Sequence, residues 1–152
     1  MTLEYITEPS RHVPVIYRTD VLVVGSGPGD LAAALATARA GVQVCMVERF
    51  GCYGGNITVV GVEGLAWYRH EATVEANGIG REFEERAKAM GAAVPESQSL
   101  SYELDSEGFK LVADRLVEEA GIHGRARGRG CGRAGGEIQP RRGCRGHGRR
   151  AG

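Results

Sequence analysis

The chain has 152 residues, the size of one domain, and its 42% apolar content permits an ordinary globular core. Its formal net charge of zero is a cancellation, because the first 122 residues carry 18 acidic and 10 basic side chains whereas the last 30 carry nine arginines and one glutamate. The N-terminus lacks a basic start followed by an apolar run, and the longest aliphatic run is residues 21–24. We therefore expect a cytoplasmic protein without an export signal and without a membrane span, which would need about 20 apolar residues.

A strand, a helix and a second strand are predicted in succession near the N-terminus. Residues 20–24 (DVLVV) are β-branched and short, which is typical of a buried strand in a parallel sheet. Residues 30–41 (DLAAALATARAG) predict a helix that ends at its last glycine, and residues 42–48 predict the second strand. Such a βαβ unit crosses over right-handed and brings the carboxyl ends of its strands side by side.

Two further helices are predicted downstream. Residues 79–90 place apolar side chains at helical spacing with charges on the opposite face. Residues 106–120 do the same, and Asp105 or Ser106 can cap the start of that helix. Glycines punctuate the chain between the βαβ unit and these helices, so loops are expected there, with one short strand near residues 58–62.

The last 30 residues differ in kind from the rest. They contain ten glycines and nine arginines, with Ile138 as the only large aliphatic residue. Such a segment cannot bury enough apolar surface to offset the entropy of ordering, so we predict disorder and no third strand of the sheet after residue 122. The predicted division is an N-terminal extension over 1–19, a partial α/β domain over 20–122 and a disordered tail over 123–152. Because the composition changes where a strand is due, we hypothesise a change of reading frame near codon 122.

A glycine-rich loop joins the first predicted strand to the first predicted helix. Residues 25–30, GSGPGD, follow the spacing G-x-G-x-x-G except at the last position. Gly25 permits the tight turn, Gly27 lets the backbone approach a pyrophosphate, and the amides at the helix start favour an anion. Glu48 ends the second strand, where its carboxylate can accept hydrogen bonds from a ribose diol and disfavours a 2′-phosphate. The pattern predicts a site for an adenosine diphosphate moiety and argues against NADP.

The stretch GSGPGDLAAALATARAGVQVCMVE resembles the N-terminal dinucleotide motif of FAD-dependent oxidoreductases, and the resemblance extends over about residues 14–122. It implies an α/β fold with a Rossmann-like βαβ FAD/NAD(P)-binding unit, additional helices and an incomplete parallel sheet. FAD is the implied cofactor, with NAD as the less favoured alternative because both present adenosine diphosphate to the motif. The implied cofactor-binding residues are Gly25, Ser26, Gly27, Pro28, Gly29, Glu48, Arg49, Gly54 and Gly55.

In the complete enzyme of this family, the resemblance implies hydride transfer between a small-molecule substrate and the flavin. The chain resembles the first quarter or third of such an enzyme. No residue of the sequence is assigned as a catalytic acid or base, and the oligomeric state is not predicted.

Asp30 departs from the family pattern, which has a third glycine at its position. A side chain there is expected to push the helix away from the strand or to turn outward. Its favourable interaction with the helix dipole is about 0.3 to 1 kcal/mol, whereas a pyrophosphate a few Å away would repel it by roughly 4 kcal/mol at an effective dielectric constant of 20. We therefore expect Asp30 to weaken FAD binding without preventing the local fold.

Other candidate residues carry weaker signals. Cys45 lies in an apolar run and is expected to be buried, and packing is favoured over reactivity for Cys52. His70 could face a flavin or a substrate, although a surface or capping role is favoured. Trp67 and Tyr68 are expected in the core or at its rim.

The tail leaves two alternatives open. Arg-Gly repeats bind RNA in some proteins, but this tail has no interleaved aromatic residues, so nucleic acid is not favoured as a partner. His123, Cys131, Cys144 and His147 could ligate zinc, but their spacing matches no familiar finger and no metal site is expected. A non-functional remnant ranks above an RNA-binding protein and below the FAD-binding portion of an oxidoreductase.

Overall fold

The computed structural model describes residues 4–65, 69–70, 73–74, 77–97 and 100–126. Along the chain the elements are β1 (Val21–Val24), α1 (Pro28–Arg39), β2 (Val44–Glu48), a π-helix (Asn56–Val60), β3 (Arg69–His70), β4 (Thr73–Val74), α2 (Ile79–Ala89), β5 (Ala93–Pro95), β6 (Tyr102–Leu104), α3 (Ser106–Glu119) and β7 (His123–Ala126). Residues 4–19 contain neither helix nor strand. No helix within these ranges is both long and apolar enough to cross a bilayer.

The central feature is a three-stranded parallel sheet in the order β1-β2-β7. Val21 of β1 pairs with Val44, and Cys45 of β2 pairs with His123. Strand β2 lies in the middle, and its first three residues are almost fully buried, which explains its continuous apolar run. The predicted α/β class with a parallel sheet is confirmed. Two short antiparallel pairs, β3 with β4 and β5 with β6, accompany this sheet.

The three helices share one hydrophobic core with the sheet. Helix α1 packs on β1 and β2 and also contacts α2 and α3. Leu31 and Leu35 of α1 are fully buried, as is Phe109 of α3. The Phe109 ring meets Phe83 of α2 edge to face, with the ring centroids 5.7 Å apart. All three predicted helices are confirmed, α1 from its Ala/Leu-rich run and the other two from an apolar periodicity that matches the faces buried in this core.

The prediction that the sheet has no third strand was wrong. Residues 123–126 form β7, parallel to β2 and four residues beyond the predicted end of the domain. Strand pairing of this kind uses backbone groups and does not require β-branched side chains. Gly124 also leaves room for the Tyr53 ring, because a Cβ at position 124 would lie 2.2 Å from the Tyr53 hydroxyl oxygen. Arginine and glycine content therefore did not prevent pairing here. The rest of the predicted disordered tail, 127–152, lies outside the described residues, and the change of reading frame stays a prediction.

The short strand predicted near residues 58–62 was also wrong. The chain instead forms the π-helix, in which the Thr58 hydroxyl donates to the Tyr53 carbonyl oxygen over 2.8 Å. The Ser106 hydroxyl donates to the Ile57 carbonyl oxygen over 2.7 Å and ties this turn to the start of α3. Because Val59 and Val60 are exposed, their β-branched side chains pack on no sheet.

Candidate functional site

The candidate site is a cavity at the carboxyl ends of β1 and β2. Its volume is about 570 Å³. The lining residues come from the loop after β1, the first turn of α1, and the end of β2 with the two residues after it: Val24, Gly25, Ser26, Gly27, Asp30, Val47, Glu48, Arg49 and Phe50. The sheet therefore brings together two segments that lie about 20 residues apart in sequence, at the position where parallel α/β sheets bind ligands.

The glycine-rich loop continues the sheet and then turns into α1. The Gly25 amide donates to the Val47 carbonyl oxygen over 2.8 Å, and Gly25 has a φ of +111°. The Gly27 carbonyl oxygen accepts the first hydrogen bond of α1, from the Leu31 amide, over 2.8 Å. Pro28 and Gly29 lie in the first turn of that helix. The predicted strand-turn-helix context of the loop is thus present.

Glu48 is held at the end of β2 by donors on both of its oxygens. The Ser26 hydroxyl donates to Oε2 over 2.6 Å, and the Phe50 amide donates to Oε1 over 2.9 Å. Partial burial raises the pKa of this carboxyl, but the bonds from Ser26, Phe50 and the Arg49 amide outweigh burial and set the pKa below that of an ordinary glutamate. Glu48 therefore lines the cavity as an oriented carboxylate.

Ser26 lines the cavity and also makes a contact within the protein. Its side chain is almost fully buried, with a relative exposure of 1%, and its hydroxyl bonds to Glu48. It thereby connects the loop after β1 with the end of β2. Nothing in the sequence pattern signals this contact, because Ser26 lies in the loop after β1 and Glu48 lies at the end of β2.

Asp30 turns toward the loop, and the expectation that it would push α1 away or turn outward was wrong. Its Oδ2 accepts a hydrogen bond from the Gly27 amide over 3.0 Å. The same oxygen would lie 2.8 Å from a Cβ at Gly25, so the carboxylate rests directly on the loop. Leu31 and Ala34 of α1 remain fully buried, so the helix keeps its place in the core. The space that glycine 25 leaves free accommodates this carboxylate.

Gly54 and Gly55 contact the backbone of the glycine-rich loop. The Gly54 amide donates to the Ser26 carbonyl oxygen over 2.9 Å. A Cβ at Gly55 would lie 2.6 Å from the Gly27 Cα, so the two backbones are in close contact. Neither glycine is among the residues that line the cavity. The structure therefore places this pair against the loop backbone and outside the lining of the cavity.

Arg49 and Phe50 form the rim of the cavity. The Arg49 guanidinium lies 4.5 Å from the centroid of the Phe50 ring, within the range of a cation–π contact. Phe50 is 38% exposed, and apart from its position close to Glu48 no sequence pattern marks it as a residue of the site. Arg49 supplies the one basic side chain among the residues that line the cavity.

The remaining sequence candidates lie elsewhere or outside the described residues. Cys45 is buried in β2, and the Cys52 thiol lies 3.7 Å from the Thr58 hydroxyl oxygen, away from the cavity. The His123 ring stacks on Tyr17 with centroids 4.0 Å apart. Trp67, Tyr68 and the zinc candidates Cys131, Cys144 and His147 lie outside the described residues, as does the side chain of His70. Among the described residues no cluster suited to a metal ion is found.

Comparison with known proteins identifies the family. The model of the family described as FAD dependent oxidoreductase matches residues 20–128. The chain belongs to that family. FAD is the cofactor of this family, and the ribose end of the cavity fits it because the Glu48 carboxylate is oriented and open. The phosphate end fits less well, since Asp30 already occupies the Gly27 amide.

Individual known proteins resemble the chain over about 70% of its length. It is 31% identical over 108 residues to the thiamine thiazole synthase of Metallosphaera sedula, covering 69% of this chain and 36% of that protein. It is 28% identical over 113 residues to the soluble pyridine nucleotide transhydrogenase of Pseudomonas putida, covering 74% and 23%. A geranylgeranyl bacteriochlorophyll reductase-like protein from Thermoplasma acidophilum gives a TM-score of 0.48 at 23% identity, covering 71% and 30%. The chain thus spans about a third or less of these relatives.

Proposed function

We propose that residues 20–126 bind the adenosine diphosphate part of FAD in a flavin-dependent oxidoreductase. The observation that carries this proposal is the Glu48 carboxylate, which Ser26 orients at the carboxyl end of β2 and which opens to the cavity beside the glycine-rich loop. A carboxylate held in this way accepts hydrogen bonds from the two hydroxyls of a ribose. Because its pKa is lowered, Glu48 is ionised at neutral pH and repels a 2′-phosphate.

Apolar side chains and the glycine-rich backbone correspond to the other parts of the same ligand, although Asp30 occupies the Gly27 amide. Val24, Val47 and Phe50 supply apolar lining on which an adenine ring can pack. Gly25 and Gly27 bring the backbone close to the place of the pyrophosphate at the start of α1. Gly54 and Gly55 contact this backbone at Ser26 and Gly27 and so help to position the loop.

The reaction of the complete enzyme is proposed from the family. Bound FAD would supply the redox chemistry, with hydride transfer between a small-molecule substrate and the flavin. This chain spans 36% and 23% of two relatives, so we attribute to it cofactor binding and orientation and assign no catalytic acid or base.

FAD titration of the full chain tests the proposal. We would follow flavin fluorescence in the wild type and in Glu48→Ala, with Glu103→Ala as a matched control because Glu103 is an exposed glutamate on β6. Removing a charge-assisted ribose contact is expected to weaken FAD by about ten- to hundredfold, and the control is expected to bind as the wild type does. The titrations are repeated with Asp30→Gly, because Asp30 is expected to weaken FAD. Equal binding by Glu48→Ala and wild type, or no saturable binding in either background, would refute the proposal.

A further inference from the structure

The Asp30 carboxylate is placed where a phosphate of a bound nucleotide would be held. Its Oδ2 accepts from the Gly27 amide over 3.0 Å and lies 2.8 Å from the Cβ position of Gly25. An N–H group directed at one carboxylate oxygen is not available to a second anion at the same distance. A phosphate oxygen can therefore reach the Gly27 amide only after the Asp30 side chain has moved.

The two amides that precede Gly27 in the loop are also engaged. The Gly25 amide donates to the Val47 carbonyl oxygen within the sheet, over 2.8 Å. The Ser26 amide is directed toward the Glu48 carboxylate and helps to lower the pKa of that group. Of the three acceptors of these amides, Val47 and Glu48 belong to β2 and Asp30 belongs to α1. Displacement of the Asp30 side chain frees the Gly27 amide and leaves the pairing of β1 with β2 intact.

The net charge of the cavity lining also disfavours the binding of a phosphate at the Gly27 amide. The titratable side chains that line the cavity are Asp30, Glu48 and Arg49. The Arg49 guanidinium packs on the Phe50 ring at the rim. Two carboxylates and one cation give the lining a net negative charge, which repels a diphosphate and leaves an uncharged nucleoside unaffected.

We propose that Asp30 is a specificity-determining residue that discriminates against ligands carrying phosphate at the glycine-rich loop, while the nucleoside part remains bound through Glu48. This inference rests on the proposed adenosine-binding function of the cavity and adds its ligand preference. In this chain the loop is closed by an internal anion, so adenosine is expected to bind at least as tightly as ADP.

The experiment compares adenosine with ADP by titration calorimetry on the full chain. Three substitutions separate the contributions of Asp30. Asp30→Asn keeps an oxygen for the Gly27 amide but removes the charge, Asp30→Ala removes both and keeps Cβ, and Asp30→Gly also removes Cβ. Asp20→Asn is the matched control, because Asp20 also accepts from a backbone amide, that of Gln43, but lies before β1 at the other end of the sheet.

The expected result is a selective gain for the phosphorylated ligand. Asp30→Ala should bind ADP about ten- to hundredfold more tightly than the wild type does, with Asp30→Asn between the two. Adenosine affinity should change by less than about twofold in every variant, and Asp20→Asn should leave both ligands unchanged. Thermal unfolding checks that each variant is folded, since Asp30→Ala also removes the hydrogen bond of Asp30 to the Gly27 amide at the start of α1.

Two results would overturn the inference while the proposed function stands. One is adenosine binding that depends on Glu48 together with unchanged ADP affinity in Asp30→Ala. The other is an equal gain for adenosine and ADP, which would mean that Asp30 acts through the shape of the cavity and not on phosphate. Failure of both ligands to bind any folded variant would instead refute the proposed function, and the inference with it.

Discussion

Ser26 Oγ donates to Glu48 Oε2 over 2.6 Å and so joins the loop after β1 to the last residue of β2. Ser26 is almost fully buried, and the Glu48 carboxylate that it orients lines the cavity. Strand pairing positions the backbones of these two segments, whereas this side-chain contact fixes the direction of the carboxylate. The proposed recognition of a ribose by Glu48 therefore depends on Ser26, which orients the carboxylate.

Ser26→Ala is expected to reduce both stability and ligand affinity. The change removes the hydroxyl that orients a carboxylate, and a hydrogen bond to a charged group contributes about 1.5 to 3 kcal/mol. Urea unfolding should show a loss of that order, and calorimetry should show weaker adenosine binding. Ser106→Ala serves as the control, since its hydroxyl bonds to the Ile57 carbonyl oxygen and to Glu63 away from the cavity. A control that loses as much adenosine affinity as Ser26→Ala would contradict this role.

The lowered pKa of Glu48 predicts how stability depends on pH. Burial raises this pKa, but the bonds from Ser26 and the backbone outweigh it, so the folded protein releases this proton more readily than the unfolded chain does. The stabilising contribution is therefore complete above the unfolded value, about 4.3, and is lost as the pH falls through the lower folded value. Urea unfolding of wild type and Glu48→Gln from neutral pH to pH 3 measures it.

The comparison between these two proteins isolates Glu48 from other acids. Glu82 and Glu119 also have a lowered pKa, the first mainly through Arg39 and the second mainly through Arg86, and both remain in the variant. We expect the stability difference between wild type and Glu48→Gln to shrink as the solution becomes acidic. A difference that grows toward acid would show that the sign is wrong.

Gly55→Ala is expected to displace the glycine-rich loop and to reduce stability. Gly55 has a φ of +54°, and a Cβ there would lie 2.6 Å from the Gly27 Cα. Backbone strain alone costs about 1 to 3 kcal/mol for a residue with a side chain in such a conformation, and the clash adds to it. Gly61→Ala is matched for positive φ but has open space around its Cβ position. Unfolding and adenosine titration should both be affected more by Gly55→Ala, and equal effects would mean that the loop contact is unimportant.

The βαβ unit could be predicted because its signals are local. The β-branched run of β1, the alanine-rich α1 and the glycines between them each favour the element that forms. The direction of the Asp30 side chain could not be predicted, since the space it enters exists only because Gly25 lacks a side chain and has the conformation of a tight turn. The contact between Ser26 and Glu48 was equally out of reach, because it depends on the register of two strands.

Strand β7 shows a different limit of sequence reasoning. Residues 123–126 read HGRA, and no periodicity or β-branched side chain identifies them as a strand. Their place is set by pairing with the buried strand β2 and by the fit of Tyr53 against Gly124. The π-helix was missed for a related reason, because the hydroxyl of Thr58 satisfies the backbone of the turn. The missed strand depends on contacts between residues that are distant in sequence. The missed π-helix depends on a side chain that bonds to the backbone.

Gly124→Ala tests the fit between Tyr53 and β7. The added Cβ would lie 2.2 Å from the Tyr53 hydroxyl oxygen and 3.3 Å from a Val117 methyl group. Overpacking of this kind costs about 1 to 3 kcal/mol. Tyr53→Phe removes the oxygen that clashes, so the double variant should lose less stability than the sum of the two single variants. Urea unfolding of the four proteins gives the coupling, and strictly additive losses would contradict the placement of Tyr53 over β7.

Shortened chains distinguish β7 from the residues that follow it. A chain ending at Ala126 keeps the whole sheet, and the predicted disorder of residues 127–152 means that its stability should match that of the full chain to within about 0.5 kcal/mol. A chain ending at Ile122 loses the pairing of β7 with β2 and the stack of His123 on Tyr17, and it uncovers one edge of β2. It should therefore be markedly less stable in urea. Equal stability of the two shortened chains would mean that residues 123–126 do not form the third strand in solution.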